Sequence, residues 1–130
     1  MIERCFDAAR VNAYLNAPEM DFEGDLDASG LLADPRNVCL LHEGGGMLFA
    51  WRGPGVFDAH VFMFARGHEA IGLTRQMLDM MIADYGARHI WALIPQASRK
   101  VRWFARQCGM KSLGPMIAPD GAQELFEMRV

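Results

Sequence analysis

The sequence lacks an apolar run approaching the ~20 residues that carry a helix across a bilayer, so no membrane span is expected. It lacks a positive excess: 13 Lys and Arg stand against 16 Asp and Glu, a net charge of -3. That balance argues against nucleic acid or an anionic membrane as partner. Cysteine is scarce, with Cys5, Cys39 and Cys108 only. Three is an odd number and no CxxC pair occurs, so reduced thiols in a cytoplasmic compartment are expected. The four histidines, His42, His60, His68 and His89, form no HExxH and stand at no zinc spacing from a cysteine. No metal is expected. The opening residues, MIERCFDAAR, mix charges early and lack the apolar centre of a secretory signal. Internal repeats and low-complexity linkers are absent too.

What is present is ordinary globular material. Apolar residues make up 52% and charged residues 22% of 130 positions, which suits one domain over residues 1–130. Ile2–Phe6 reads as a short strand. Asp7 is placed to cap a helix over Ala8–Asn16, which Pro18 stops. Glu19–Asp27 reads as an acidic loop, and Asp27 can cap a helical turn over Ala28–Leu32. Three strands follow, Asn37–His42, Met47–Trp51 and Val56–Phe64, the last the longest. The turns Glu43–Gly46 and Gly53–Gly55 join them as an antiparallel meander. A helix over Glu69–Tyr85 closes at Gly86. A strand over His89–Ile94, a helix over Ala97–Gln107 and strands over Lys111–Ile117 and Gln123–Val130 complete the order. The third strand, the long helix and His89–Ile94 form a βαβ unit, whose two strands should be parallel neighbours. The fold class expected is α/β (α+β), a mixed sheet with helices on both faces.

One stretch, ARGHEAIGLTRQML, passes from strand to helix through small residues. A helix N-terminus exposes unpaired N–H groups and the positive end of the dipole. Small side chains there let a phosphate reach the backbone. Gly67, His68, Ala70, Ile71 and Gly72 are placed to do this, and Arg66 adds a charge-assisted donor. The simpler alternative is that Gly67 only ends the strand and Gly72 only eases packing. Glu69 counts against an anion unless its side chain points away.

The order of elements, carried by FDAARVNAYLNAPEM, LLADPRNVCLLHEGGGMLFAW, VFDAHVFMFARGHEAIG and SRKVRWFARQCGM, resembles the GNAT superfamily of acyl-CoA-dependent N-acyltransferases. It is most similar to short GNAT-like proteins encoded by tailed bacteriophages. The resemblance covers nearly the whole chain and implies a mostly antiparallel sheet of about six to seven strands. It implies acetyl-CoA as co-substrate, with an amine as acceptor. The family's pyrophosphate loop, Arg/Gln-x-x-Gly-x-Gly/Ala, falls on Gly67 to Gly72. Gly72 matches, Ala70 keeps a small residue, and Gly67 replaces the usual side chain, with Arg66 one place earlier. Ser98 stands where the family often has an Asn near the pantetheine arm. Ala105 stands where many members carry a Tyr general acid, so that route to the leaving thiolate is closed. Phe64 and Ala65 lie where a β-bulge would offer an N–H to the thioester carbonyl.

For the amine proton, Asp58 and His60 are two apart on an otherwise apolar strand and so share a face. A histidine takes a proton near neutral pH. Two readings stay open for this pair: catalytic groups, or side chains that satisfy each other. Cys108 ends a helix, where the dipole disfavours a thiolate, and is a weaker nucleophile candidate. Arg99, Lys100, Arg102 and Arg106 form a basic stripe, either a solvated face or a hold on the CoA 3'-phosphate or an acidic partner. Trp91, Trp103 and the methionines Met77, Met80 and Met81 read as core. Two functions follow from the resemblance. One is a cytoplasmic N-acetyltransferase, monomeric or homodimeric. The other is an inactive phage protein of the same fold, bound in the virion or to a host protein.

Overall fold

The computed structural model describes residues 1–20, 22 and 24–130. Of the acidic loop expected over Glu19–Asp27, Asp21 and Glu23 lie outside the described residues. Strand β1 is only Glu3–Arg4, and α1 spans Ala8–Leu15 with Asp7 accepting the Ala9 amide at 3.0 Å. A single 3-10 turn, Pro18–Met20, precedes α2, Ser29–Leu32. Then come β2 (Val38–His42), β3 (Gly45–Gly53), β4 (Val56–Met63), α3 (Gly67–Asp84), β5 (His89–Pro95), α4 (Arg99–Gln107), β6 (Lys111–Ala118) and β7 (Gly121–Arg129). No helix is long and apolar enough to cross a membrane among the described residues.

Boundaries depart from expectation where a glycine or a side chain intervenes. The turn after β2 is tighter than expected, because Gly45 and Gly46 join β3 and pair with His42 and Leu41. A Cβ on Gly46 would lie 2.6 Å from the Phe62 ring, so glycine alone permits that close pairing. This makes β3, at nine residues, longer than the eight-residue β4. Helix α3 begins at Gly67 rather than Glu69, since glycine takes the φ of +59° that turns the chain out of β4.

The seven strands form one sheet in the order β1-β2-β3-β4-β5-β7-β6. All neighbours are antiparallel except β4 and β5, the parallel pair of the βαβ unit. Strand alternation sends Val38, Leu40, Met47, Phe49 and Phe57 to one face, where α3 buries Met77, Leu78 and Met81 and α4 adds Ala105. Cys39, Leu41, Leu48 and Phe62 point to the other face, under Val11 and Leu15 of α1. Helices therefore cover both faces, as the element order suggests. Met77 and Met81 are fully buried and Met80 partly so.

Candidate functional site

The parallel pair is short. Only Val56, Phe57 and Asp58 pair with β5, opposite His89, Ile90 and Trp91. Beyond Asp58, β4 stays with β3 as far as Met63, and β5 stays with β7 as far as Pro95. Each strand follows its antiparallel partner, and the twist of the sheet opens a wedge between them. The wedge is a cleft of about 920 Å³, walled by Ala59, Val61 and Met63 of β4, Ala92, Leu93 and Ile94 of β5, the start of α3 and one face of α4.

At the far end of β4, the amides of Phe64 and Ala65 both donate to the Gly44 carbonyl at 2.9 Å. Phe64 and Ala65 stand just past the end of β4, and two consecutive amides sharing one carbonyl turn the chain there as a β-bulge does. Both amides, however, are used. In an antiparallel ladder, N–H groups alternate sides. With Phe64 bonded toward β3, the amides of Val61 and Met63 point the other way, into the wedge. The free backbone donors facing the cleft are therefore upstream of the bulge.

Helix α3 starts at the cleft mouth. Arg66 is its N-cap in extended geometry and makes no capping bond. The first amides of the helix, those of Gly67, His68 and Glu69, have no intrahelical acceptor. Arg66 and Gly67 line the cleft, and a Cβ at Gly67 or Gly72 would meet nothing within 4 Å. Glu69 is exposed and enters no hydrogen bond or ion pair among the described residues, so its carboxylate does not plug the turn. His68 is also exposed; Ala70 is buried against the cleft wall, and Ile71 packs on the core.

Asp58 and His60 share the α1 face of β4, at the apex of the wedge. Arg52 donates to Asp58 Oδ2 at 3.0 Å, and His60 Nε2 lies 3.6 Å from the same oxygen. Burial raises the Asp58 pKa, but the nearby His60 ring and the bond from Arg52 outweigh it and hold the carboxyl below its ordinary value. His60 is 59% exposed at its side chain and lines the cleft. The two residues do contact each other, and the imidazole remains open to solvent.

Helix α4 divides its residues sharply. Val101, Phe104, Ala105 and Cys108 face the cleft. Trp103 also lines it and is 53% exposed, so it is a cleft residue and not core. Trp91 is half-buried beside His89, outside both core clusters. Burial pushes the Cys108 thiol up to about 11, which leaves it protonated and a poor nucleophile at neutral pH. Ser98 is the N-cap of α4, but its hydroxyl makes no capping bond and it lies outside the residues lining the cleft. The basic stripe splits. Arg102 and Arg106 reach the buried Glu124 at 3.5 and 3.2 Å, and Ser112 donates to it at 2.8 Å. Arg99 and Lys100 remain exposed, Lys100 at the cleft. Among the described residues, no group of three or more His, Cys, Asp or Glu is placed to hold a metal ion.

No family model matches the sequence, and no curated protein does. Solved structures do match. An aminoglycoside acetyltransferase, AAC(6')-Ib, in complex with coenzyme A and kanamycin, superposes with a TM-score of 0.73 at 13% identity, covering 99% of this chain and 94% of that one. A point mutant of the spermidine N-acetyltransferase SpeG from Vibrio cholerae gives 0.75 at 11%, covering 99% and 94%. An acetyltransferase of the GNAT family from Bacillus anthracis gives 0.69 at 13%, covering 98% and 93%. At these identities the likeness establishes the fold.

Proposed function

We propose that the chain is an acyl-CoA-dependent N-acyltransferase of the GNAT type, taking acetyl-CoA or another acyl-CoA and an amine. The observation that carries this reading is a juxtaposition. The wedge between β4 and β5 opens directly onto an uncapped helix N-terminus with an arginine at its lip. A cation at the positive end of a helix dipole is unfavourable unless an anion sits between them, and a diphosphate is such an anion. The fold shared with acetyltransferases supports the same reading.

Each residue then has a task. Arg66 and the free first-turn amides of Gly67, His68 and Glu69 hold the diphosphate, while the small Ala70 keeps the wall beside them low; Ile71 and Gly72 lie past the free amides. The cleft-facing backbone of Val61, Met63 and Leu93 aligns the pantetheine arm and the thioester. An amide of Val61 or Met63, rather than of Phe64 or Ala65, polarises the carbonyl. The bulge at Phe64 and Ala65 turns the chain toward the cradle. Ser98 sets the start of α4, whose side chains close the cleft. His60 takes the proton that the attacking amine loses, directly or through water, and Asp58 orients the imidazole. The new C–N bond forms as C–S breaks, and the sulfur leaves with the electron pair and takes a proton from solvent. Most of the rate comes from orientation.

Titration calorimetry with acetyl-CoA tests this. Saturable binding is expected, and Arg66→Glu, which reverses the charge at the cleft lip, should weaken it strongly while the fold persists. No heat at millimolar ligand would sink the coenzyme reading. The rival is a GNAT-fold binding protein without turnover, in a phage particle or on a host protein. It draws support from Ala105, which puts no acid at the cleft, and from the pairing of Asp58 with Arg52.

A further inference from the structure

The cleft runs inward to a buried apolar wall. Its inner wall is formed by Met47, Leu78, Cys108 and Met110, none more than 8% exposed. Three facing alanines, Ala59 of β4, Ala92 of β5 and Ala105 of α4, leave the space between sheet and helices open. At about 920 Å³, the cavity is near the top of the ~300–1,000 Å³ range of small-molecule sites.

One polar group faces this apolar chamber without an oxygen or nitrogen partner among the described residues. Thr74, two turns into α3, is 2% exposed, and its Oγ1 makes no hydrogen bond among the described residues. The Cys108 sulfur beside it is only a weak acceptor for that hydroxyl. Buried hydroxyls are nearly always bonded. The exception points to a ligand that reaches this depth with an oxygen of its own.

We propose that the chamber receives the acyl chain of a medium-length aliphatic acyl-CoA, not an acetyl group alone. The inference rests on the acyltransferase reading above. The amide oxygens of the pantetheine arm meet Thr74, and the chain runs on between the three alanines to end against Met47 and Leu78. An acetyl group would leave that wall bare. A longer chain covers it, with a gain of up to about fourfold in affinity for each methylene buried.

The test is a calorimetric series on the full chain with free CoA, acetyl-CoA, hexanoyl-CoA and octanoyl-CoA. Affinity should climb with chain length, octanoyl-CoA binding at least tenfold tighter than acetyl-CoA. Ala92→Leu, which narrows the chamber, should flatten that climb, with its melting curve reporting whether it folds. The wild-type series decides the matter even if that variant does not fold. Binding of CoA with equal affinity across the acyl series would overturn the chamber's role and leave the acyltransferase reading standing. No binding of any CoA species would remove both.

Discussion

At the start of α1, the carboxylate of Asp7 accepts the Ala9 amide at 3.0 Å. Before α2, Asp27 accepts the Ser29 amide at 3.0 Å and the Ser29 hydroxyl at 2.6 Å. At the start of α3, Arg66 occupies the capping position and offers no acceptor. The serine before α4 also leaves its hydroxyl out of the cap. The first two helix starts thus place a carboxylate on an early amide, and at α4 the Arg99 amide bonds the Ala97 carbonyl at 3.1 Å; at α3 alone the first amides have no acceptor among the described residues. Unmet donors cost stability, and here they gather where the sheet opens.

The largest way to break this contrast is to cap α3. Arg66→Asp supplies a side-chain acceptor for the Gly67–Glu69 amides and repels a diphosphate. It should raise stability by about 1 kcal/mol and weaken CoA binding by about tenfold or more. Thermal melts and calorimetry on the same preparation report both. A gain in stability with unchanged CoA affinity would detach the helix start from the ligand.

The reciprocal change uncaps α1. Asp7→Ala should cost about 1 kcal/mol and leave CoA affinity unaltered, as urea denaturation beside calorimetry would show. Thr74→Val sharpens the comparison inside α3 itself. Removing a buried hydroxyl that has no partner should stabilise the free protein by up to about 1 kcal/mol, while CoA binding weakens severalfold. A variant that destabilises the free protein would mean the hydroxyl is already satisfied.

The smallest effect is in acid. The Ser29 hydroxyl and amide, with Asn12, hold the Asp27 carboxyl at about 2, below its ordinary 3.8. A depressed carboxylate contributes stability that is complete above the ordinary value and lost as pH falls toward the folded one. Protection of the Ser29 amide from hydrogen exchange should therefore decline between about pH 4 and 2. Asp27→Asn should remove that step. The Gly67–Glu69 amides, which no carboxylate caps, should show none.

Much of this architecture was readable beforehand. Asp7 before an amphipathic run, Gly67 between strand and helix, and glycine turns between three apolar strands are local signals, and each marks the element it punctuates. Asp58 and His60 were legible as a pair because strand alternation alone puts them on one face. Other features had no local signature. The Gly44 carbonyl takes both bulge amides, and Glu124 draws Arg102 and Arg106 out of the exposed stripe. Both involve partners 18 or more residues away. Trp103 reads as core by hydrophobicity, and only the opening of the sheet explains its exposure.

By itself the sequence determined the order and kind of the elements, the capped start of α1 and the conformational freedom at Gly67, because propensity, capping and alternation act over a few neighbours. The tertiary structure decided that β4 and β5 separate after Asp58, that Val61 and Met63 carry the free amides, and that Thr74 is left unpaired in a deep chamber. Those outcomes depend on which antiparallel partner each strand follows through the twist, and that choice is made by contacts between segments far apart in the chain.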